Sequence, residues 1–330
     1  MKNLLNLSVA LMITLFMGLQ NLNAVSFKNE TPRLQISSER SLIKPLKTKT
    51  KKIEINFNSF KSIIPLWKVT SNQRTIYFTG AMDIPLDARP VPKPTQRAFV
   101  QSGILILEGK IGEKAKARVK MLLKKYGTLP KGKTIADELT KTQLRRVKRL
   151  ITAVGLNYKS VQQDQPWVIL MHIKQAATKI SNRKTHPRYR HFVQLAKKRH
   201  LPIRYLDTPK EEIQMMANMP KKLKIDFLMM TVNQTMHIKS LLQNKKALHK
   251  AWISGDMKSA AIHFSSMFSD YPGLYQAIVT SRHNRWAKKL EVLLSNPGKP
   301  VFVIVGAPHL FGENNLLDYL RKDGYSVTQL

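Results

Sequence analysis

Pro300-Val-Phe-Val-Ile-Val-Gly-Ala-Pro-His-Leu-Phe-Gly312 decides how this chain folds. Val301 to Val305 are consecutive apolar residues, β-branched except for Phe302, which is how a strand buried on both faces reads. Gly306 stops the run and His309 follows three residues on. Asn314 to Lys322 then predicts a short amphipathic helix, closed by Gly324 before a returning strand from Tyr325 to Thr328. Open α/β sheets bind their ligands just past the carboxyl ends of such strands, and His309 stands at that place. A histidine after a strand is more often a capping or packing residue, so company decides its role.

That company comes from the first half of the chain. Leu66 to Thr70 and Thr75 to Thr79 flank the polar turn Ser71-Asn-Gln-Arg74, the pattern of a hairpin. The second strand ends at Gly80, and Asp83 follows at the same offset that separates His309 from Gly306. Prolines at 85, 90, 92 and 94 exclude regular structure from Ile84 to Pro94. A helical turn from Thr95 to Gln101 leads into a third buried strand, Ile104 to Glu108. Three strands thus deliver Asp83, Glu108 and His309 to their carboxyl ends. Two carboxylates and an imidazole suit a divalent metal or acid–base work at a polarised carbonyl.

The middle of the chain reads as helical, over Ala115–Tyr126, Lys141–Ala153, Trp167–Lys179 and His186–Arg199. Leu201 to Leu206 is a further strand, ending at Asp207. Pro209 opens a helix with Glu211 and Glu212 in its first turn. Leu274 to Leu294 reads as one long helix carrying Arg282, His283 and Trp286. Gly127-Thr-Leu-Pro-Lys-Gly-Lys-Thr134 matches the phosphate-loop pattern letter for letter, but that mechanism needs a preceding strand. Here the loop follows a helix, and Pro130 removes an amide, so nucleotide binding is set aside.

Met1-Lys2 followed by the apolar run Leu4–Leu19 and Leu22-Asn-Ala24 predicts a signal peptide over residues 1–24, and hence a periplasmic or secreted protein. An uncleaved amino-terminal anchor is the alternative. Residues 25–62 read as a basic, partly disordered arm, and residues 63–330 as the folded domain. The absence of cysteine rules out disulfides and thiol chemistry. A net charge of +36 predicts attraction to anionic surfaces such as a membrane or a cell-envelope polymer. The basic residues are spread along the chain without interleaved aromatics, which argues against nucleic acid.

Several of these stretches together resemble the TraB/GumN family. They are Leu66-Trp-Lys-Val69, Gly80-Ala-Met-Asp83, Ala98-Phe-Val-Gln-Ser102 running into Ile106-Leu-Glu108, Trp252-Ile-Ser-Gly-Asp256, Arg282 with Trp286-Ala287, and Val305 to Gly312 through Gly324-Tyr325. The family includes the Tiki proteins, membrane-tethered metalloproteases that inactivate Wnt ligands, and is similar in fold to the erythromycin-esterase and ChaN-like group. The resemblance implies an α/β fold whose central mixed sheet is built in two related halves and flanked by helices. It implies a site of two G-x-x-H motifs and a glutamate, with manganese or cobalt as the metal. The second motif is Gly306 with His309, the glutamate is Glu108, and Arg282 matches a family arginine near the site. Asp83 stands where the family has histidine, and His283 replaces an asparagine and is a candidate to supply the missing nitrogen. Two function classes follow. One is a metal-dependent hydrolase of peptide or protein substrates, with Asp83, Glu108, His309 and His283 as metal ligands and Glu108, His309 and Arg282 catalytic. The other is a non-catalytic exported binding protein that engages an anionic partner through its basic surface.

Overall fold

The computed structural model describes residues 65–82, 91–110, 112–181 and 189–330. The expected signal peptide and basic arm, Asp83 and most of the proline-rich segment lie outside the described residues.

The described residues begin with a hairpin, β1 (Leu66–Thr70) and β2 (Thr75–Ala81), followed by α1 (Lys93–Gln101) and β3 (Ile104–Gly109). Next among the described residues come α2 (Glu113–Tyr126), α3 (Lys141–Ala153), α4 (Tyr158–Val161), α5 (Pro166–Ser181), α6 (Tyr189–Lys198) and, after β4 (Ile203–Asp207), α7 (Pro209–Ala217). A helical run follows, made of α8 (Lys221–Met236), α9 (Ile238–Ser254), α10 (Met257–Ser265), α11 (Pro272–Ile278) and α12 (His283–Leu294). The chain closes with β5 (Val301–Gly306), α13 (Leu316–Lys322) and β6 (Ser326–Gln329).

The strands form one mixed sheet in the order β4-β3-β5-β2-β1-β6. β4, β3, β5 and β2 are mutually parallel, and β1 is antiparallel to both β2 and β6. β5 arrives last of the parallel set and inserts between β3 and β2. The direction of winding therefore reverses beside it, which makes a switch-point crevice at the carboxyl ends of β3 and β5. Every residue of β5 is buried, as its apolar run requires.

Alternation along the strands separates two cores. Leu105, Leu107, Phe302 and Ile304 face α1 and α6, where Phe99, Phe192 and Phe302 pack with ring centroids 5.0–5.5 Å apart. Burying a side chain such as Phe302 contributes roughly 1.5–3 kcal/mol. Ile106, Val301, Val303 and Val305 face the larger helical assembly on the other side. The methionines at 216, 219, 229 and 230 fill that second core, as expected of flexible apolar side chains.

One expectation is corrected. Leu274 to Leu294 is not a single helix: α11 ends at Ile278, a 3₁₀ turn spans Thr280–Arg282, and α12 starts at His283. The Ser281 hydroxyl donates to the Ala277 carbonyl at 2.8 Å and that of Thr280 to Gln276 at 3.4 Å. Hydroxyls bonding four residues back bend helices. The break lets Arg282 and His283 turn into the sheet, where a continuous helix would carry them past it.

Candidate active site

Three parallel strands end in polar residues at the crevice. Glu108 lies two residues beyond Ile106 and so points to the same, helical side of β3. Asp207 ends β4, and β5 runs through Gly306 into a 3₁₀ turn, Ala307–His309. From above, the break before α12 brings Arg282 and His283. All five side chains are buried, with Asp207 and His283 at 0% exposure. Charges so placed persist only when paired, because removing them from water costs several kcal/mol each.

Both terminal nitrogens of Arg282 are paired, while its buried Nε has no partner among the described residues. Its Nη1 donates to Glu108 Oε1 at 2.7 Å and lies 3.3 Å from Asp207 Oδ2, while its Nη2 donates to His309 Nε2 at 2.8 Å. The other oxygen of Glu108 accepts the Gly306 amide at 2.9 Å, which ties the end of β3 to that of β5. His309 Nε2 and Glu108 Oε1 are 3.7 Å apart, too far for a direct bond, so the guanidinium joins them. Behind His309, its Nδ1 lies 2.8 Å from His283 Nε2, and His283 Nδ1 lies 2.7 Å from the Asn314 carbonyl. Trp286 closes one side: its ring stands 4.6 Å from the Arg282 guanidinium and 4.7 Å from the His309 ring.

Asp207 organises the outer half. Oδ1 accepts from Trp286 Nε1 at 2.8 Å and from Arg285 Nη2 at 2.5 Å. Arg285 Nε and Lys289 Nζ reach Glu211 at 3.3 and 3.2 Å, and Lys289 also donates to the Leu206 carbonyl. Arg282, the N-cap of α12, and Arg285, Trp286 and Lys289 within it fall at spacings of three and four, so the start of α12 aims four donors at the end of β4.

The charge states follow from the surroundings. Burial pushes the Glu108 carboxyl up, but the Arg282 charge, His309 and the Gly306 amide together outweigh it and hold it well below the usual carboxylate range. Burial opposes the charge on Arg282, and Glu108 and Asp207 more than restore it. Burial and then the Arg282 charge push His309 down. His283 is pushed down to about 3 by burial and by His309. The resting cluster holds an ionised Glu108 carboxylate, a guanidinium and two neutral imidazoles.

Close packing supports this geometry. A Cβ at Gly80 falls 2.5 Å from the Trp252 ring and 2.8 Å from the Ala307 Cα. Gly80 therefore admits Trp252, itself packed between Trp67 and Phe311, against the turn that carries His309.

The fold places Glu108, Arg282, His309 and His283 in one cluster, and Asp83 lies outside the described residues. His283 does not face the point shared by Glu108 and Arg282: it backs onto the far nitrogen of His309. Sequence reading missed the roles of Asp207 and Arg285. The signal was present, since Asp207 ends a strand as Glu108 does and Arg285 falls three residues after Arg282.

The chemistry of the donor set bears on a metal. A carboxylate oxygen and a neutral imidazole nitrogen converge, and both types bind divalent manganese or cobalt. Both are held by Arg282, so a cation at this point would have to displace the guanidinium and find a third ligand elsewhere. Among the described residues no group of three or more metal-binding side chains is assembled.

The family model described as TraB/PrgY/gumN matches residues 65–329. The uncharacterized protein YbaP of Escherichia coli (strain K12) is 24% identical over 236 residues, which is 71% of this chain and 83% of that protein. YbaP of Shigella flexneri matches to the same extent. The metalloprotease TIKI2 of Danio rerio is 38% identical over 55 residues, 16% of this chain and 11% of its own. No solved structure matches.

Proposed function

This chain belongs to the TraB/PrgY/gumN family, and from that premise we propose that it is a hydrolase of peptide-type carbonyl bonds working through Glu108, Arg282 and His309. The observation that carries the reading is the convergence of an ionised carboxylate, a guanidinium and a neutral imidazole at the switch point of the sheet. Perturbed ionisable groups gathered at such a place are the mark of a working site. The local likeness to a metalloprotease supports the reaction class.

In hydrolysis, water adds to the carbonyl carbon, the C–N bond breaks, and the water's proton passes to the leaving amine. His309 Nε2 offers the lone pair that accepts this proton, and its depressed basicity favours giving it up again. Arg282, anchored by Asp207, turns one nitrogen from His309 to the carbonyl oxygen as charge develops there. Glu108 stays ionised and orients Arg282. A divalent ion, if bound, would be held by Glu108 and His309 with Asp83 as a further candidate, and would supply polarisation of the carbonyl and a more acidic water.

Two observations favour the second reading, a non-catalytic exported binding protein. Arg282 already satisfies both atoms that chemistry needs, and the net charge of +36 suits an anionic partner. Calorimetry of manganese and cobalt binding to the full chain, with peptide cleavage followed in the same samples, separates the two. Binding and cleavage that are both lost in Glu108→Gln support the hydrolase. A folded wild-type protein that neither binds nor cleaves leaves the binding protein.

A further inference from the structure

We propose that the backbone carbonyl of Asn314, acting through His283, fixes the proton of His309 on Nδ1 and so keeps the Nε2 lone pair aimed into the site when Arg282 lets go. His283 and Asn314 are then positioning residues.

Three short contacts in series leave one arrangement of protons. A carbonyl can only accept, so the 2.7 Å contact places a proton on His283 Nδ1. In the neutral ring His283 Nε2 is then an acceptor. The 2.8 Å contact to it requires a proton on His309 Nδ1. The same tautomer follows independently from the other end, because a guanidinium can only donate and Arg282 Nη2 lies 2.8 Å from His309 Nε2. A second proton on His309 sets N–H against N–H at Arg282. One on His283, passed along the series, ends in the same clash. Two fixed ends therefore agree on one state.

The ends are not redundant. Arg282 has alternative acceptors in Glu108 and Asp207, and anything that engages His309 Nε2 must displace its Nη2. From that moment only the Asn314 end holds the tautomer. It is built to stay. Asn314 has φ 52, a left-handed backbone that asparagine tolerates better than most residues. The neighbouring Asn315 caps α13, and its side-chain amide donates to the Gly312 carbonyl and to Asp318. This locked turn directs the carbonyl inward while the Asn314 residue itself is exposed. The inference rests on the reading that His309 works through Nε2, but its test needs no activity.

The test is nitrogen NMR on the full chain labelled in histidine, at neutral pH. His309 is expected to show a protonated Nδ1, a pyridine-type Nε2, and scalar coupling from Nδ1–H across to His283 Nε2. Arg282→Lys keeps the buried positive charge but loses the fork that reaches Nε2. It should leave that pattern unchanged. Adding His283→Leu should shift His309 toward the mixture of free histidine, where Nε2–H dominates. Adding His283→Gln instead should restore Nδ1–H, since a carboxamide accepts from one side and donates to the other. Protonated Nε2 or missing coupling in the wild type overturns the proposal even if no variant folds. So does loss of the Nδ1–H state in Arg282→Lys alone. An intact pattern in a protein that hydrolyses nothing sinks the hydrolase reading and leaves the relay standing.

Discussion

Two stretches of this chain carry glycine-bounded motifs with a basic residue inside, Gly127 to Thr134 and Gly306 to Gly312, and they behave oppositely. The first follows α2, with Gly127 as its C-cap. Its backbone pairs with the loop before α5, through Gln163 and Gln165, the Thr134 amide and hydroxyl are taken by Asp137 of the same short 3₁₀ turn, and its lysines are exposed. The second follows a strand buried on both faces. Its histidine is bonded to Arg282 and His283, and its first amide to Glu108, 198 residues away. What the chain passes through before the motif separates a surface loop from a site; the letters do not.

The sharpest way to break the contrast is to remove the charge at the centre of the second region. Arg282→Met leaves Glu108 and Asp207 buried without their shared partner. Loss of one member of a buried ion cluster costs roughly 3–5 kcal/mol, a large share of the 5–15 kcal/mol typical of a domain. Denaturant unfolding should show that loss, with Arg282→Lys recovering part of it. An Arg282→Met protein as stable as wild type would mean the cluster contributes nothing to the fold.

The same contrast explains what could be read beforehand. Buried strands announce themselves through apolar runs, so β3 and β5 were legible, with Glu108 near the end of the first and His309 three residues past the second. The hairpin was legible from its polar turn. The break before α12 was not, because nothing in Leu274–Leu294 interrupts the helical period: two hydroxyls bonding backward do it. That break sets where Arg282 and His283 point. His283 accordingly reads from sequence as a spare ligand, while in the fold it stands behind His309. Asp207 was legible as a strand end, but its role needed the strand order, which puts β4 beside β3 through pairings that no local pattern encodes.

Acid should attack the second region through the histidines. His283 is held neutral down to about pH 3, whereas an unfolded histidine binds its proton near pH 6.5. Between those values the unfolded chain takes up a proton that the fold refuses. Stability must therefore fall as pH drops through that window, by up to about 1.4 kcal/mol per pH unit. His309 acts in the same direction. Glu108, whose folded pKa is depressed, adds a further loss once pH falls below the ordinary carboxylate range. His283→Gln should flatten the slope between about pH 6 and 4. An unchanged slope would place the acid sensitivity elsewhere.

Gly80→Ala tests the packing beneath the site. The added methyl meets the Trp252 ring and the Ala307 backbone below van der Waals distance. Overpacking of this kind costs typically about 1–3 kcal/mol. Because Ala307 belongs to the turn that carries His309, the His309 nitrogen signals should shift along with the unfolding midpoint. A change in the midpoint with unmoved signals would separate the packing from the site.

The smallest effects belong to the first region, and their smallness is the point. Thr134→Val removes a cap side chain that bonds only to its own turn, so the loss should be about 0.5–2 kcal/mol. Lys133→Ala, at an exposed position with no buried partner to strand, should stay within about 0.5 kcal/mol. Neither change should alter the His309 spectrum or any metal binding, and calorimetry with ATP and magnesium should show no heat of binding that Lys133→Ala abolishes. A phosphate loop depends on amides converging at a helix start after a strand. Here a helix precedes the loop, Pro130 lacks an amide, and the turn's own acid, Asp137, takes the Thr134 amide at 2.7 Å. The one donor best placed to meet a phosphate is already committed to a carboxylate.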